Sequence, residues 1–159
     1  MPNRHDIHVL NDLIGATLDS AERLERVATD SDSTGRVSLF GSLAAERREI
    51  AQTLAETVRS LGGQPHDGGS FLAKAQRAVM DVSQALMPAE IGVVGAADRG
   101  EAALDKRFED AIKDERLSAT TRETLRRAHV AIHQETRDVH DLHTSMESQR
   151  DASSGLYPQ

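Results

Sequence analysis

The stretch FGSLAAERREIAQTLAETVRSLGGQP, residues 40–65, decides the fold. Phe40, Leu43, Arg47, Ile50, Leu54, Val58 and Leu61 recur at three- and four-residue spacing, which places them along one face of an α-helix. Gly62-Gly63, followed by Pro65, marks the end of that helix. Glycine accepts the left-handed backbone of a helix terminus, and proline cannot extend the hydrogen-bond ladder. One charged residue, Arg47, stands at the centre of the apolar stripe.

The same periodicity extends in both directions. Upstream, Leu10, Leu13, Ile14, Thr17, Ala21, Leu24 and Ala28 form a stripe that ends at the polar turn Asp30-Ser31-Asp32-Ser33-Thr34-Gly35. Downstream, residues 62–70 read as a flexible linker, and the spacing predicts a short helix from about Phe71 to Leu86. Pro88 is suited to the first turn of a helix. Val94, Ala97, Glu101, Leu104, Phe108 and Ile112 share a face in the next segment. Gly92, Gly95 and Gly100 predict irregularity in its first half. Thr120 and Glu123 have the spacing of a capping box. The stripe Leu125, Ala128, Ile132, Val139 and Met146 then carries a last helix to about Gln149. No strand pattern occurs. Residues 1–150 read as one helical domain and residues 151–159 as a disordered tail.

Short turns make antiparallel neighbours, so the chain reads as two helical hairpins. The long connection between them, with its own short helix, predicts a crossover running the length of a bundle. The expected fold is all-α: a four-helix bundle of ferritin-like connectivity, with an up-down-up-down bundle of five helices as the alternative.

Composition narrows the function. Hydrophobic residues make up 38% and aromatics 3%, a balance suited to Leu and Ala packing between helices. The net charge of -7, with acids and bases interleaved, argues against nucleic acid as a partner. The absence of cysteine excludes disulfides and thiolate ligands. No stretch approaches the roughly 18 apolar residues that span a bilayer. The N-terminus, Met1-Pro2-Asn3-Arg4-His5-Asp6, has no apolar signal region, so a soluble, cytoplasmic protein is expected. The outer faces allow a homo-oligomer without demanding one.

Charged residues on apolar stripes are the candidate site, because a charge is rarely buried without a partner. Glu101 is as central on its stripe as Arg47. Each lies roughly 18–20 Å from the start of its helix at 1.5 Å per residue. The two are therefore expected to pair at the midplane, level with Thr17 and Ala21 of the first helix and with His129, His133 and Thr136 of the last. His129, His133, His140 and His143 fall within an arc of about 80° beside the last stripe, at 100° per residue. His129 and His133 have the spacing at which two imidazoles reach one ion. Glu101, His129, His133 and His140 are thus candidate ligands for iron, manganese, zinc or copper. Asp19, Glu22 and Glu49 are expected to point outward, with Glu46 at the edge of the core face.

Several short motifs carry a resemblance by their order and spacing. They are Leu10-Asn11-Asp12-Leu13-Ile14, Ala45-Glu46-Arg47, Leu61-Gly62-Gly63-Gln64-Pro65, Met80-Asp81, Arg99-Gly100-Glu101 and His140-Asp141. Over residues 7–146 the chain resembles an uncharacterised bacterial family, a four-helix-bundle domain of unknown function in the ferritin-like superfamily. The resemblance implies the ferritin-like fold and no catalytic assignment. Relatives in the wider superfamily hold two metal ions with a Glu from each of two helices and a Glu-x-x-His from each of the others. This sequence has no Glu-x-x-His on any helix, and it offers Thr17, Ala21 and Arg47 at inward positions. Neither a nucleophile elbow nor a P-loop nor a dinucleotide fingerprint is present. The expected function is a non-enzymatic structural or stress-associated bundle. A metal-binding or redox protein using Glu101 and the late histidines is the alternative.

Overall fold

A computed structural model describes residues 3–31, 33–67 and 89–155. These residues form four helices: α1 (Asn3–Asp30), α2 (Thr34–Ser60), α3 (Ala89–Ile112) and α4 (Ala119–Gly155). Among the described residues there is no strand. The short helix expected over 71–86 lies outside the described residues.

Each helix forms where its apolar stripe finds a neighbour. α1 packs against α2 and α3, α3 packs against α4, and α2 meets α4 more sparsely. Contacts at the termini fix the directions. Asn3 near the start of α1 donates to the carbonyl of Leu61 at the end of α2, at 3.5 Å, so α1 and α2 are antiparallel. Asp105 of α3 faces His129 and His133, and Asp98 faces His140 and His143, so α3 and α4 are antiparallel too.

α2 ends as its Gly62-Gly63 pair dictates. Gly62 has φ +82°, its amide donates to Arg59, and the Gly63 amide donates back to Val58, both at 2.9 Å. This is a Schellman closure, which satisfies carbonyls that would otherwise be left open. Asn11 of α1 then holds the departing chain, donating to the Gln64 carbonyl at 3.0 Å and accepting from the His66 amide at 2.8 Å.

Three local expectations are corrected. α3 is helical through Gly92, Gly95 and Gly100, because packing outweighs the propensity penalty of glycine. At two of these glycines a neighbour occupies the missing side chain's space. A Cβ on Gly95 would lie 3.0 Å from His143, and one on Gly100 would lie 2.2 Å from the Arg23 guanidinium. The N-terminus of α4 is capped by Ser118, not Thr120. The Ser118 hydroxyl accepts from the Thr121 amide at 3.3 Å, while the Thr120 carbonyl is already within the helix, accepting from Thr124. Finally, α4 continues through residues 151–155, where Ser153 and Ser154 hydroxyls donate to carbonyls one turn back.

The interior divides into two apolar clusters. One gathers Leu10, Leu13, Ile14, Leu54, Val58, Leu104, Phe108, Leu125 and Ile132 from all four helices. The other gathers Leu24, Val27, Phe40, Leu43, Val94, Ala97, Val139 and Met146, again from all four. Between them lies a layer of polar side chains.

Candidate functional site

The polar layer contains one residue from each helix: Ser20 of α1, Arg47 of α2, Glu101 of α3 and Glu135 of α4. Arg47 and Glu101 are both 0% exposed. Arg47 donates to Glu101 Oε2 through Nη2 at 2.7 Å and Nε at 3.1 Å, and through Nη1 it donates to Glu135. Ser20 donates its hydroxyl to the other Glu101 oxygen. Thr136 donates to the Glu101 backbone carbonyl at 3.3 Å, and Thr17 turns back onto the Leu13 carbonyl of its own helix. Such satisfaction is required here, since a buried charge with an unmet hydrogen bond is strongly destabilising.

Two carboxylates around one guanidinium leave the layer one negative charge in excess, and Glu135 absorbs the imbalance. Burial, together with a hydrogen bond to Glu46 and the Glu46 charge, pushes the Glu135 carboxyl up to about 7 against the opposing pull of Arg47. Burial also works against the Arg47 charge, but Glu101 and then Glu135 outweigh it and hold the guanidinium above its ordinary value. Glu46, the hydrogen-bond partner of Glu135, also lines a groove of about 600 Å³ between α2 and α4, together with Ile50, Thr53 and Ala128 among others.

A second polar feature runs along the seam between α3 and α4. Asp105 accepts from His129 Nε2 at 2.8 Å, and its Oδ2 lies 3.0 Å from His133 Nδ1. Seven residues earlier, Asp98 repeats the pattern with His140 and His143 at 3.1 and 3.0 Å. His143 also reaches Glu147 at 3.3 Å. The spacing of seven returns each aspartate to the same side of α3.

The family model described as Domain of unknown function (DUF2383) matches residues 5–114, more than half of the chain. The chain belongs to the DUF2383 family. A comparison with curated proteins gives no match. The DUF2383 match takes in Ser20, Arg47, Glu101, Asp98 and Asp105 and ends before α4, so Glu135 and the four seam histidines lie beyond it.

The structure brings some of the singled-out residues together and separates others. Arg47 and Glu101 are in contact in the middle of the molecule. Glu101 does not join His129, His133 and His140. Its carboxylate is taken by Arg47 and Ser20, and the histidines turn to Asp105 and Asp98. Among the described residues the three-ligand group is instead Asp105, His129 and His133.

A two-metal centre built from four inward carboxylates and two histidines, which the sequence pattern already lacks, does not fit the layer. Arg47 places a cation there, and the inward carboxylates are committed to it. Asp19 is another correction: it is buried, not outward, and burial first and Glu22 second raise its pKa against Arg23 and Arg107. Reading the sequence missed Ser20, Glu135, Asp98 and Asp105.

Proposed function

We propose that this DUF2383 member is a non-enzymatic cytoplasmic bundle of ferritin-like connectivity in which a side-chain cation holds the four helices in register. One observation carries the reading: Arg47, fully buried, bridges carboxylates of α3 and α4, and Glu101 in turn ties the network to α1 through Ser20. Among the described residues, the donors and acceptors of Arg47, Glu101 and Ser20 in the layer are turned on one another. The antiparallel contacts of α1 with α2 and of α3 with α4 support the two-hairpin arrangement, and a buried ionic group is best attested as a device that sets register.

The test is equilibrium unfolding of Glu101→Gln. Removing one charge leaves buried Arg47 with Glu135 as its remaining carboxylate, and the expected loss is roughly 3–5 kcal/mol. A loss below about 0.5 kcal/mol, within the range of ordinary surface changes, would overturn the reading.

A further inference from the structure

We propose that Asp105, His129 and His133 form a site for a single divalent transition-metal ion of the zinc class, on the seam between α3 and α4 and apart from the interior layer. Three features point there. The ligand set, two imidazole nitrogens and one carboxylate oxygen, is one that zinc accepts with a fourth position left open. The histidines sit four residues apart on α4, so both rings project from one face toward α3. And the three ligand atoms converge within 4.8 Å of one another, the only such group among the described residues.

The distances fit an ion as well as they fit hydrogen bonds. Zinc–ligand bonds of about 2.0–2.1 Å at a tetrahedral angle separate the ligand atoms by about 3.3 Å. From the single oxygen Asp105 Oδ1 the present separations are 2.8 Å to His129 Nε2 and 3.1 Å to His133 Nδ1. Admitting an ion needs an opening of a few tenths of an ångström, which rotation of the rings supplies. Their centroids are 5.5 Å apart and the rings are tilted by 46°, so they do not stack on one another. Asp105 is held against the helix surface at 16% exposure, whereas His133 is 53% exposed and leaves the fourth position open to water. The neighbouring Asp98 cluster contains the same residue types without bringing three ligand atoms this close, and it supplies the internal control.

The experiment titrates the full chain, free of any affinity tag and of metal, with zinc in a calorimeter, and with cobalt(II) while recording its visible bands. One ion per chain is expected, with cobalt bands of the intense, low-symmetry type given by four-coordinate sites. His133→Ala, at an exposed position that the fold does not depend on, and the isosteric Asp105→Asn should each weaken zinc by at least about tenfold, since loss of outer-shell partners alone costs 10–100-fold. His140→Ala should bind as the parent does. Absence of saturable binding, equal affinity in His133→Ala and Asp105→Asn, or an equal loss in His140→Ala would each overturn the proposal.

Discussion

Arg47 is fully buried, so its donors must be met by protein atoms: two bind Glu101 of α3 and one binds Glu135 of α4. Glu101 is its fixed partner and Glu135 its adjustable one. Because the folded state raises the Glu135 pKa from 4.5 to about 7, the native chain holds a proton in that window that the unfolded chain has released. Stability from this group is fully present below pH 4.5 and is lost as the pH rises toward 7. The Glu135 side chain is partly exposed, at 13%, and solvent screening reduces the effect to the order of 1 kcal/mol. Urea midpoints of the parent and Glu135→Gln, taken at intervals from about pH 5 to about pH 8, should therefore converge at the acidic end and diverge toward the alkaline end, the variant being the flatter. Parallel profiles would mean that Glu135 does not titrate in this range. Arg47 and Glu101 are legible in the sequence because a charge at the centre of an apolar stripe has few explanations. Ser20 is not, since a small hydroxyl on a stripe looks like filler. Glu135 is hidden because it stands one position, and hence 100°, from the inward Thr136.

At the scale of elements, the start of α4 shows how one helix is tied to another. The buried Asp6 of α1 accepts from the Ser118 amide at 3.3 Å and from its hydroxyl at 2.5 Å, and Ser118 in turn caps α4. Burial raises the Asp6 pKa, but the hydrogen bonds of Ser118 and Thr121 outweigh it and keep the carboxyl below its usual value. Asp6 is thus an anion at a helix N-terminus, where the dipole favours one. Ser118→Ala removes both the cap and the link to α1, and should cost about 1–2 kcal/mol in chemical denaturation; Thr120→Ala should cost less than about 0.5. Equal losses would return the cap to Thr120. Sequence spacing alone could not separate the two, because Ser118-x-x-Thr121 and Thr120-x-x-Glu123 both supply a hydroxyl before a helix. What distinguishes them is a carboxylate 112 residues away. Glycine-rich α3 is illegible for the same reason: the Arg23 and His143 side chains that occupy the space beside it come from other helices.

Across the whole molecule, two apolar clusters flank the polar layer, and the proposed register role assigns that layer a contribution to uniqueness more than to stability. Replacing Arg47, Glu101 and Glu135 together by leucine or methionine should leave the urea midpoint unchanged or higher. It should also give amide NMR spectra with more than one set of peaks, as helices α2 and α4 slide where they touch least. A single sharp set would show that apolar packing alone fixes the register. At this scale the sequence is most readable. The four long stripes, the Gly62-Gly63 stop and the near-absence of aromatics all announce helices packed on helices, because periodicity is a property of each segment alone. The seam aspartates are least readable, since Asp98 and Asp105 acquire meaning only from histidines that follow them by several turns on another helix.

The cation at the centre of this protein is covalently part of α2. Chelators, iron starvation or a mild acid wash that would empty a metal centre leave Arg47 in place, so the interior keeps its positive charge whatever the supply of ions outside.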